Sequence, residues 1–319
     1  MFKNLNKDLV KKLSQIYTKE ELKVINSWFE TESRKPSFRI NSLKANVTNT
    51  LQSLEEAWVK FSKIDYLENA YVLDEWREKD LWDTWAFKAW YIYMQWLSSQ
   101  LPVNIMDIKE GNKVLDVTAA PWSKTSQIAD KLNNSWEIIA LDNNAIRIDK
   151  LNYTIKKQWV KNAKVIKTDS RNATKALKEV NIEWEYFDNI LFDAPCSSEW
   201  RINLNKEKTY AYWSEEIIKK NYKLQKQILQ EVVPLLKSWW ELVYSTCTLS
   251  PEENEWIAHF LLCNFPELQI KEIELKVPNM KSGILEYWKA RYKKEVELSK
   301  RILPSPESEW FFIVKLLKS

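Results

Sequence analysis

The chain has 319 residues, of which 45% are hydrophobic, enough for one large α/β domain and a smaller one; 48 basic and 44 acidic residues leave a formal charge of +4, which neither demands nor forbids a polyanionic partner. No apolar run approaches the roughly 20 residues of a membrane helix, and the start MFKNLNKDLVKKL lacks the apolar core of a signal peptide, so a cytoplasmic location is expected. Three cysteines (Cys196, Cys247, Cys263) make no disulfide framework at this length, and the single histidine, His259, argues against a His-rich metal site or a Ser-His-Asp triad; catalysis would fall to Cys, Asp, Glu or Lys.

The first segment, LVKKLSQIYTKEELKVINSWF, carries apolar residues at helical spacing. KPSFRINSL reads as a short strand and TLQSLEEAW as a helix, together a small α/β unit. A less regular stretch from about Asp65 to Asp83 follows, and the aromatic run KAWYIYMQWLSSQLPV leads into the main domain. Residues 1–82 are therefore predicted as an amino-terminal domain and 83–319 as the main one. From Lys113 the chain alternates strands and helices in the manner of a doubly wound sheet. KVLDV (113–117) precedes a helix beginning near Lys124, and EIIALD (137–142) precedes one over 146–158; KVIKTD (164–169) and YFDNILFD (186–193) follow. In EIIKKNYKLQKQILQEVVPLLK, residues Ile217, Ile218, Ile228, Leu229, Val232 and Val233 form an apolar stripe suited to packing on a sheet. ELVYSTC (241–247) is a further strand, PEENEWIAHFLL a helix, and FFIVKLL (311–317) a closing strand.

The glycine count is anomalous: 2 in the whole chain against 18 tryptophans. Average usage of about 7% would supply on the order of twenty more glycines. Several tryptophans stand where a turn calls for glycine, among them Trp122 after Ala119-Ala120-Pro121, Trp136 before EIIALD, and Trp239-Trp240 between a helix and ELVYS. We read this as a gene in which UGA encodes glycine and has been written as tryptophan; the alternative is genuine tryptophan enrichment.

Ligands of a doubly wound sheet bind at the carboxyl ends of its strands. Those ends here are Asp116-Val117-Thr118-Ala119-Ala120-Pro121, Asp142, Asp169 and Asp193. Asp142 follows the first βα turn at a spacing suited to ribose hydroxyls, although any one such acid is commonly just a helix cap. No G-x-G-x-x-G and no P-loop is present, which disfavours a pyrophosphate and suits a cofactor with ribose and adenine but no phosphates, such as S-adenosylmethionine. Cys196 and Cys247 both sit at strand ends and point to a thiol mechanism, whereas Cys263, within HFLLC, reads as a small buried hydrophobe.

The runs VLDVTAAPWSKTSQIA, FDNILFDAPCSS and LVYSTCTLSPEENE resemble the successive motifs of the Sun/Nop family of RNA cytosine-5 methyltransferases, and FRINSLK and RILPSPESEWFF extend the resemblance over nearly the whole chain. It implies a Rossmann-like methyltransferase domain and a small amino-terminal RNA-binding unit around Arg39 and Asn41. It also implies an S-adenosylmethionine site formed by Thr118, Ala119, Ala120, Pro121, Trp122, Ser123, Lys124, Asp142, Asp169 and Asp193. Cys247 would be the nucleophile and Cys196 would help release the product. Asp193 would hold the base edge, and Lys124 would orient the base or loop, or simply begin a helix. The family has glycines at Trp122, Trp200, Trp239, Trp240 and Trp310, and often at Ser123 and Ser198; Trp96 follows Gln95 where the family often has Asp.

Arg34-Lys35, Lys156-Lys157, Lys219-Lys220, Arg291 and Lys293-Lys294 are candidate phosphate contacts. Ribosomal RNA is expected ahead of transfer RNA, because no extra RNA-binding module flanks the domain, and a monomer is expected. Two alternatives differ in kind: a DNA cytosine-5 methyltransferase using Cys196, and a non-catalytic RNA-binding or ribosome-assembly factor.

Overall fold

The computed structural model describes residues 1–75, 78–120 and 123–319. The chain opens with α1 (Lys7–Ile16) and α2 (Lys19–Glu30). The amphipathic run is split because Thr18 caps α2: its hydroxyl accepts from the Glu21 amide while the Glu21 carboxylate accepts from the Thr18 amide. The apolar face of the pair, including Leu9, Leu13, Ile25 and Phe29, packs with Ile202, Trp213, Leu249 and Trp310 of the large domain, not on the small sheet.

Next come β1 (Ser37–Ile40), α3 (Val47–Glu56), β2 (Phe61–Lys63), β3 (Ala70–Leu73), the short α4 (Glu78–Trp82) and α5 (Trp85–Lys88), and β4 (Ile92–Met94). Among the described residues these strands form an antiparallel sheet in the order β2-β3-β1-β4 over a core of Phe38, Ile40, Leu54, Tyr71 and Ile92. The irregular stretch near Asp65 thus holds β3 and α4. Because β4 pairs with β1, Phe38 opposite Met94, the small sheet continues past the boundary expected near residue 83.

The large domain runs α6 (Leu97–Ile105), β5 (Val114–Asp116), α7 (Lys124–Lys131), β6 (Ile138–Asp142), α8 (Ala145–Lys157), β7 (Ala163–Lys167), α9 (Ala173–Lys178), β8 (Phe187–Asp193), α10 (Glu215–Val232), β9 (Leu236–Thr246) and α11 (Glu255–Asn264). It closes with β10 (Leu268–Lys271), β11 (Met280–Ser282), the hairpin β12 (Glu286–Tyr287) and β13 (Ala290–Arg291), β14 (Lys300–Ile302) and β15 (Phe311–Lys318). Among the described residues a nine-stranded sheet takes the order β11-β14-β15-β9-β8-β5-β6-β7, with β10 on β15. β5 to β9 are parallel and β15 runs antiparallel beside β9. The order reverses between β5 and β8, which opens a crevice at their carboxyl ends.

Strand residues alternate between two cores. Ile190 and Phe192 join Ile228, Leu229 and Val232 of α10 on one face, while Leu191 joins Leu101 of α6 and Ile128 of α7 on the other. On α11, Ile257, Ala258, Leu261 and Leu262 turn inward, so Cys263 lies on the opposite side, exposed beside the His259 ring at 3.5 Å; the burial expected for it is corrected. Among the described residues no helix is long and apolar enough to cross a membrane.

Arg39 and Asn41, around which the amino-terminal unit is expected to bind RNA or else to cap the sheet, are 2% and 1% exposed. Arg39 donates to Gln95 at 2.9 Å, to Ser126 at 2.6 Å and to Gln158 at 2.8 Å, and pairs with Asp130 at 3.5 Å, which seats the small sheet on α7. Removing one member of a buried ion pair leaves the other charge without a partner. Arg39→Ala is therefore expected to destabilise the fold by about 3–5 kcal/mol. Chemical denaturation would check this, and a loss below about 1 kcal/mol would mean the pair behaves as a surface contact.

Six tryptophans among the described residues (Trp58, Trp90, Trp136, Trp159, Trp239, Trp288) hold φ between 53° and 71°. That left-handed backbone is what glycine permits and a bulky side chain resists. Trp200, Trp240 and Trp310 have no such φ.

Candidate active site

The carboxyl ends of β5, β6, β8 and β9 surround a cavity of about 700 Å³, of a size that encloses a nucleoside-like ligand. Its walls include Thr118, Ala119, Ala120, Ser123, Lys124, Asp142, Asp169, Asp193, Cys196 and Cys247. All the site residues expected from the sequence thus come together except Pro121 and Trp122, which lie outside the described residues.

Asp193, the last residue of β8, is the hub of one wall. Its carboxylate pairs with the Lys124 ammonium at 2.7 Å and accepts from the Ser245 hydroxyl at 2.7 Å, while its carbonyl accepts from the Thr118 hydroxyl at 2.7 Å. Lys124 opens α7 and also donates to Ser99 of α6 at 2.7 Å. The ammonium is therefore held in a defined pose at the cavity wall, with one donor toward each partner.

Three acids lie along the neighbouring strand ends. Asp116 is buried and accepts from Thr125 at 2.7 Å; burial pushes its carboxyl up to about 6. Asp142 accepts from the Asn144 amide at 2.9 Å and pairs with Arg147 at 3.2 Å, and Arg147 also donates to the Ala120 carbonyl. Asp169 caps a 3-10 turn and holds Arg171 at 2.6 Å, whose hydrogen bonds keep its carboxyl below the ordinary range. The capping reading of Asp169 is thus realised, on the wall of the cavity.

The Cys196 and Cys247 sulfurs lie 3.2 Å apart, one in the loop after β8 and one just after β9. Ser198, at φ 59°, places its hydroxyl 3.7 Å from one sulfur and 3.8 Å from the other; the left-handed backbone explains why a glycine would serve at this position. The hydrogen bond to Cys247, followed by burial, pushes the Cys196 thiol well above its ordinary value. Trp310 donates its indole N–H to the Cys247 carbonyl at 3.0 Å.

Sequence reasoning missed Ser99, Arg147 and Glu309, which also line the cavity. Glu309 is buried, accepts from Ser98, and is pushed up to about 6 by burial. No periodicity singles these residues out; for Glu309 the one signal was its place in the quoted RILPSPESEWFF run. A second cleft of about 570 Å³ adjoins the cavity and shares Pro36, Glu78 and Trp96 with it. Arg34, Lys79, Arg201 and Lys206 line this cleft, with the Arg34 guanidinium 4.1 Å above the Trp28 ring. Of the candidate phosphate contacts only Arg34 reaches it. Among the described residues no cluster of His, Cys, Asp and Glu could hold a metal ion.

A family model described as 16S rRNA methyltransferase RsmB/F matches residues 103–317. The tRNA (cytosine(49)-C(5))-methyltransferase of Pyrococcus abyssi is 32% identical over 320 residues, covering 99% of this chain and 97% of that protein. Ribosomal RNA small subunit methyltransferase F of Pectobacterium carotovorum is 33% identical over 235 residues, 72% of this chain and 47% of that protein, so the chain spans about half the length of that relative. Among solved structures, a methyltransferase homologue from Pyrococcus horikoshii matches with a TM-score of 0.85 at 26% identity, covering 99% of this chain and 96% of that one. NSun6 from the same organism, solved with SFG, shares the fold at a TM-score of 0.80 and 22% identity, covering 98% of each chain.

Proposed function

The chain belongs to the RsmB/F family and is an S-adenosylmethionine-dependent RNA cytosine-5 methyltransferase, and we propose that Cys247 is its nucleophile, Cys196 its product-releasing thiol and transfer RNA its substrate. The observation that carries this reading is the pair of thiols 3.2 Å apart, opening on the same cavity as the Asp193–Lys124 pair.

The donor set suits the cofactor: Asp142 and Asp169, carboxylates at and just past the ends of β6 and β7 on the cavity wall, would take ribose hydroxyls and the adenine edge, and the sequence has no phosphate-cradle motif. Thr118, Ala119, Ala120, Ser123 and Lys124 form the wall between them, and Pro121 and Trp122 complete the sequence of that loop. Bound there, S-adenosylmethionine supplies an electrophilic methyl group on a sulfonium. Carbon 5 of cytosine is too poor a nucleophile to take it unaided. The Cys247 thiolate bonds to carbon 6 and drives the carbon 5–carbon 6 electron pair onto carbon 5, which then accepts the methyl. The carbon 5 proton passes to water and its electron pair re-forms the double bond as the carbon 6–sulfur bond breaks, with the Cys196 thiol donating a hydrogen bond to the departing Cys247 thiolate to assist this release. The Asp193 carboxylate accepts from the cytosine amino group while the Lys124 ammonium donates toward the ring nitrogen, which spreads the charge that develops on the ring. Arg34, Arg201 and Lys206 in the adjoining cleft suit the phosphates beside a base turned out of its stack.

The substrate choice rests on coverage of this chain: the transfer RNA enzyme aligns over 99% of it and the ribosomal RNA enzyme over 72%. Ribosomal RNA, favoured from the sequence, stays the second reading because the matching family model carries that description. The test incubates the chain as written, and a form with glycine at the tryptophans named above, with S-adenosylmethionine and unmodified transfer or ribosomal RNA. Bisulfite sequencing is expected to find a protected cytosine in transfer RNA. Protection confined to ribosomal RNA would replace the substrate, and protection in neither would overturn both readings.

A further inference from the structure

Beneath the two thiols lie two buried carboxyl groups, Glu199 and Glu253, both 0% exposed, that the mechanism does not use. They meet at one hydroxyl. Ser197 Oγ is 2.5 Å from Glu253 Oε1, 2.8 Å from Glu199 Oε1 and 2.8 Å from Thr248 Oγ1. A serine hydroxyl has one proton to give and so satisfies one carboxylate, not two.

The contact distances decide where the second proton sits. Glu199 Oε1 also receives the Trp213 indole N–H at 2.9 Å and the Ser250 hydroxyl at 3.2 Å, while its Oε2 is buried without a hydrogen-bond partner. The Ser197 amide donates to both Glu253 oxygens at 3.2 Å and Gln225 donates to Oε2 at 3.0 Å, so the shortest contact of the cluster is the 2.5 Å between Glu253 Oε1 and the Ser197 hydroxyl. Two carboxyls on one hydroxyl call for a second proton, and that short contact places it on Glu253. Consistent with this, burial, followed by the charges of Cys196 and Glu199, pushes the Glu253 carboxyl up to about 9.

This network ties two loops together. Ser197 follows Cys196, and Gln225 donates to the Pro195 carbonyl at 2.9 Å as well as to Glu253. Thr248 follows Cys247 and accepts from the Ser250 amide at 3.1 Å, and the Tyr244 hydroxyl fixes the Glu253 carbonyl at 2.6 Å. Cys247 has independent support, since it directly follows β9, paired on both sides, and Trp310 grips its carbonyl. Cys196 lies in a loop outside any strand.

We propose that Glu253, in its neutral form, is a positioning residue that clamps the Cys196 loop to the end of β9 through Ser197 and so holds the releasing thiol against the nucleophile. Because Cys247 is supported independently, loss of the clamp impairs release more than attack. The inference rests on the roles given above to Cys247 and Cys196.

The experiment compares the parent, Cys247→Ala, Cys196→Ala, Glu253→Ala, Glu253→Gln and Ser197→Ala with the RNA methylated by the parent. It scores multiple turnover, the first turnover, and the covalent protein–RNA adduct on denaturing gels. Glu253→Ala is expected to slow multiple turnover about tenfold to a hundredfold and to accumulate adduct, as stranded buried partners cost that much. Its first turnover stays within about threefold of the parent. Glu253→Gln restores turnover to within about threefold, because an amide donates at one end and accepts at the other like the neutral acid. Glutamine as defective as alanine would mean that an ionised carboxylate acts, and overturns the proposal; so does Glu253→Ala turning over within about twofold of the parent. Ser197→Ala removes only the bridging hydroxyl and covers a Glu253→Ala that fails to fold: adduct accumulation supports the clamp, and its absence overturns it. Adduct formation by Cys247→Ala would instead show that the underlying assignment of the thiols is wrong.

Discussion

Cys247→Ala is expected to abolish RNA methylation, a loss of at least about a thousandfold, because without the sulfur bond at carbon 6 the base has no nucleophilic carbon 5. Cys196→Ala is expected to behave differently. Its first turnover proceeds, and the protein then stays attached to the methylated RNA, visible as a band that resists denaturation and that a protease digests. The two outcomes differ because the sulfurs, though 3.2 Å apart, have different supports. Cys247 ends a central strand, while the Cys196 thiol holds its proton well above the ordinary range through its hydrogen bond to Cys247 and its burial. Both thiols front the same cavity, so either could reach the base edge on distance alone. Hence the adduct assay is decisive: if Cys196→Ala prevents the adduct and Cys247→Ala does not, the nucleophile is Cys196.

Replacing Trp58, Trp90, Trp136, Trp159, Trp239 and Trp288 together by glycine is expected to stabilise the protein by several kcal/mol. A left-handed backbone costs an ordinary residue about 1–2 kcal/mol, against which glycine gives back about 0.4–1 kcal/mol through its more flexible unfolded chain. Five of the six indoles are 53–92% exposed and have little packing to lose. Trp90 is the exception, with its ring 6.3 Å from Tyr93 and 5.8 Å from Tyr153. Differential scanning calorimetry should register a rise in Tm on the order of ten degrees; a fall would mean that the rings stabilise the turns they occupy. Trp310→Gly provides the contrast. That ring is 1% exposed, lies 5.2 Å from Phe29, and loses its hydrogen bond to Cys247 on substitution, so a cost of about 3–5 kcal/mol is expected in this chain. We propose that the native protein carries glycine at the left-handed positions because its gene reads UGA as glycine. Peptide mass spectrometry of native material that finds tryptophan at position 239 would end that reading.

The sequence by itself determined the parallel heart of the fold and many of the residues that line the cavity. Strands buried on both faces, such as IIALD and the ILF of FDNILFD, present unbroken apolar runs, and the acids and cysteines that follow them sit at the carboxyl edge wherever the strands pair. Local pattern could not reveal β10 to β14, which are short and draw their order from β15 and one another rather than from their own apolar content. It could not reveal that Arg39 would be buried either, because a charge is tolerated inside only when distant partners arrive, here Gln95, Ser126, Asp130 and Gln158. Cys263 turned outward because the helical period reports a face and not its covering. The meeting of Glu199 and Glu253 on one serine hydroxyl was decided wholly by the tertiary structure: Ser197 and Glu253 lie 56 positions apart in the chain, and the proton that reconciles two buried carboxyls exists only once folding has brought them together.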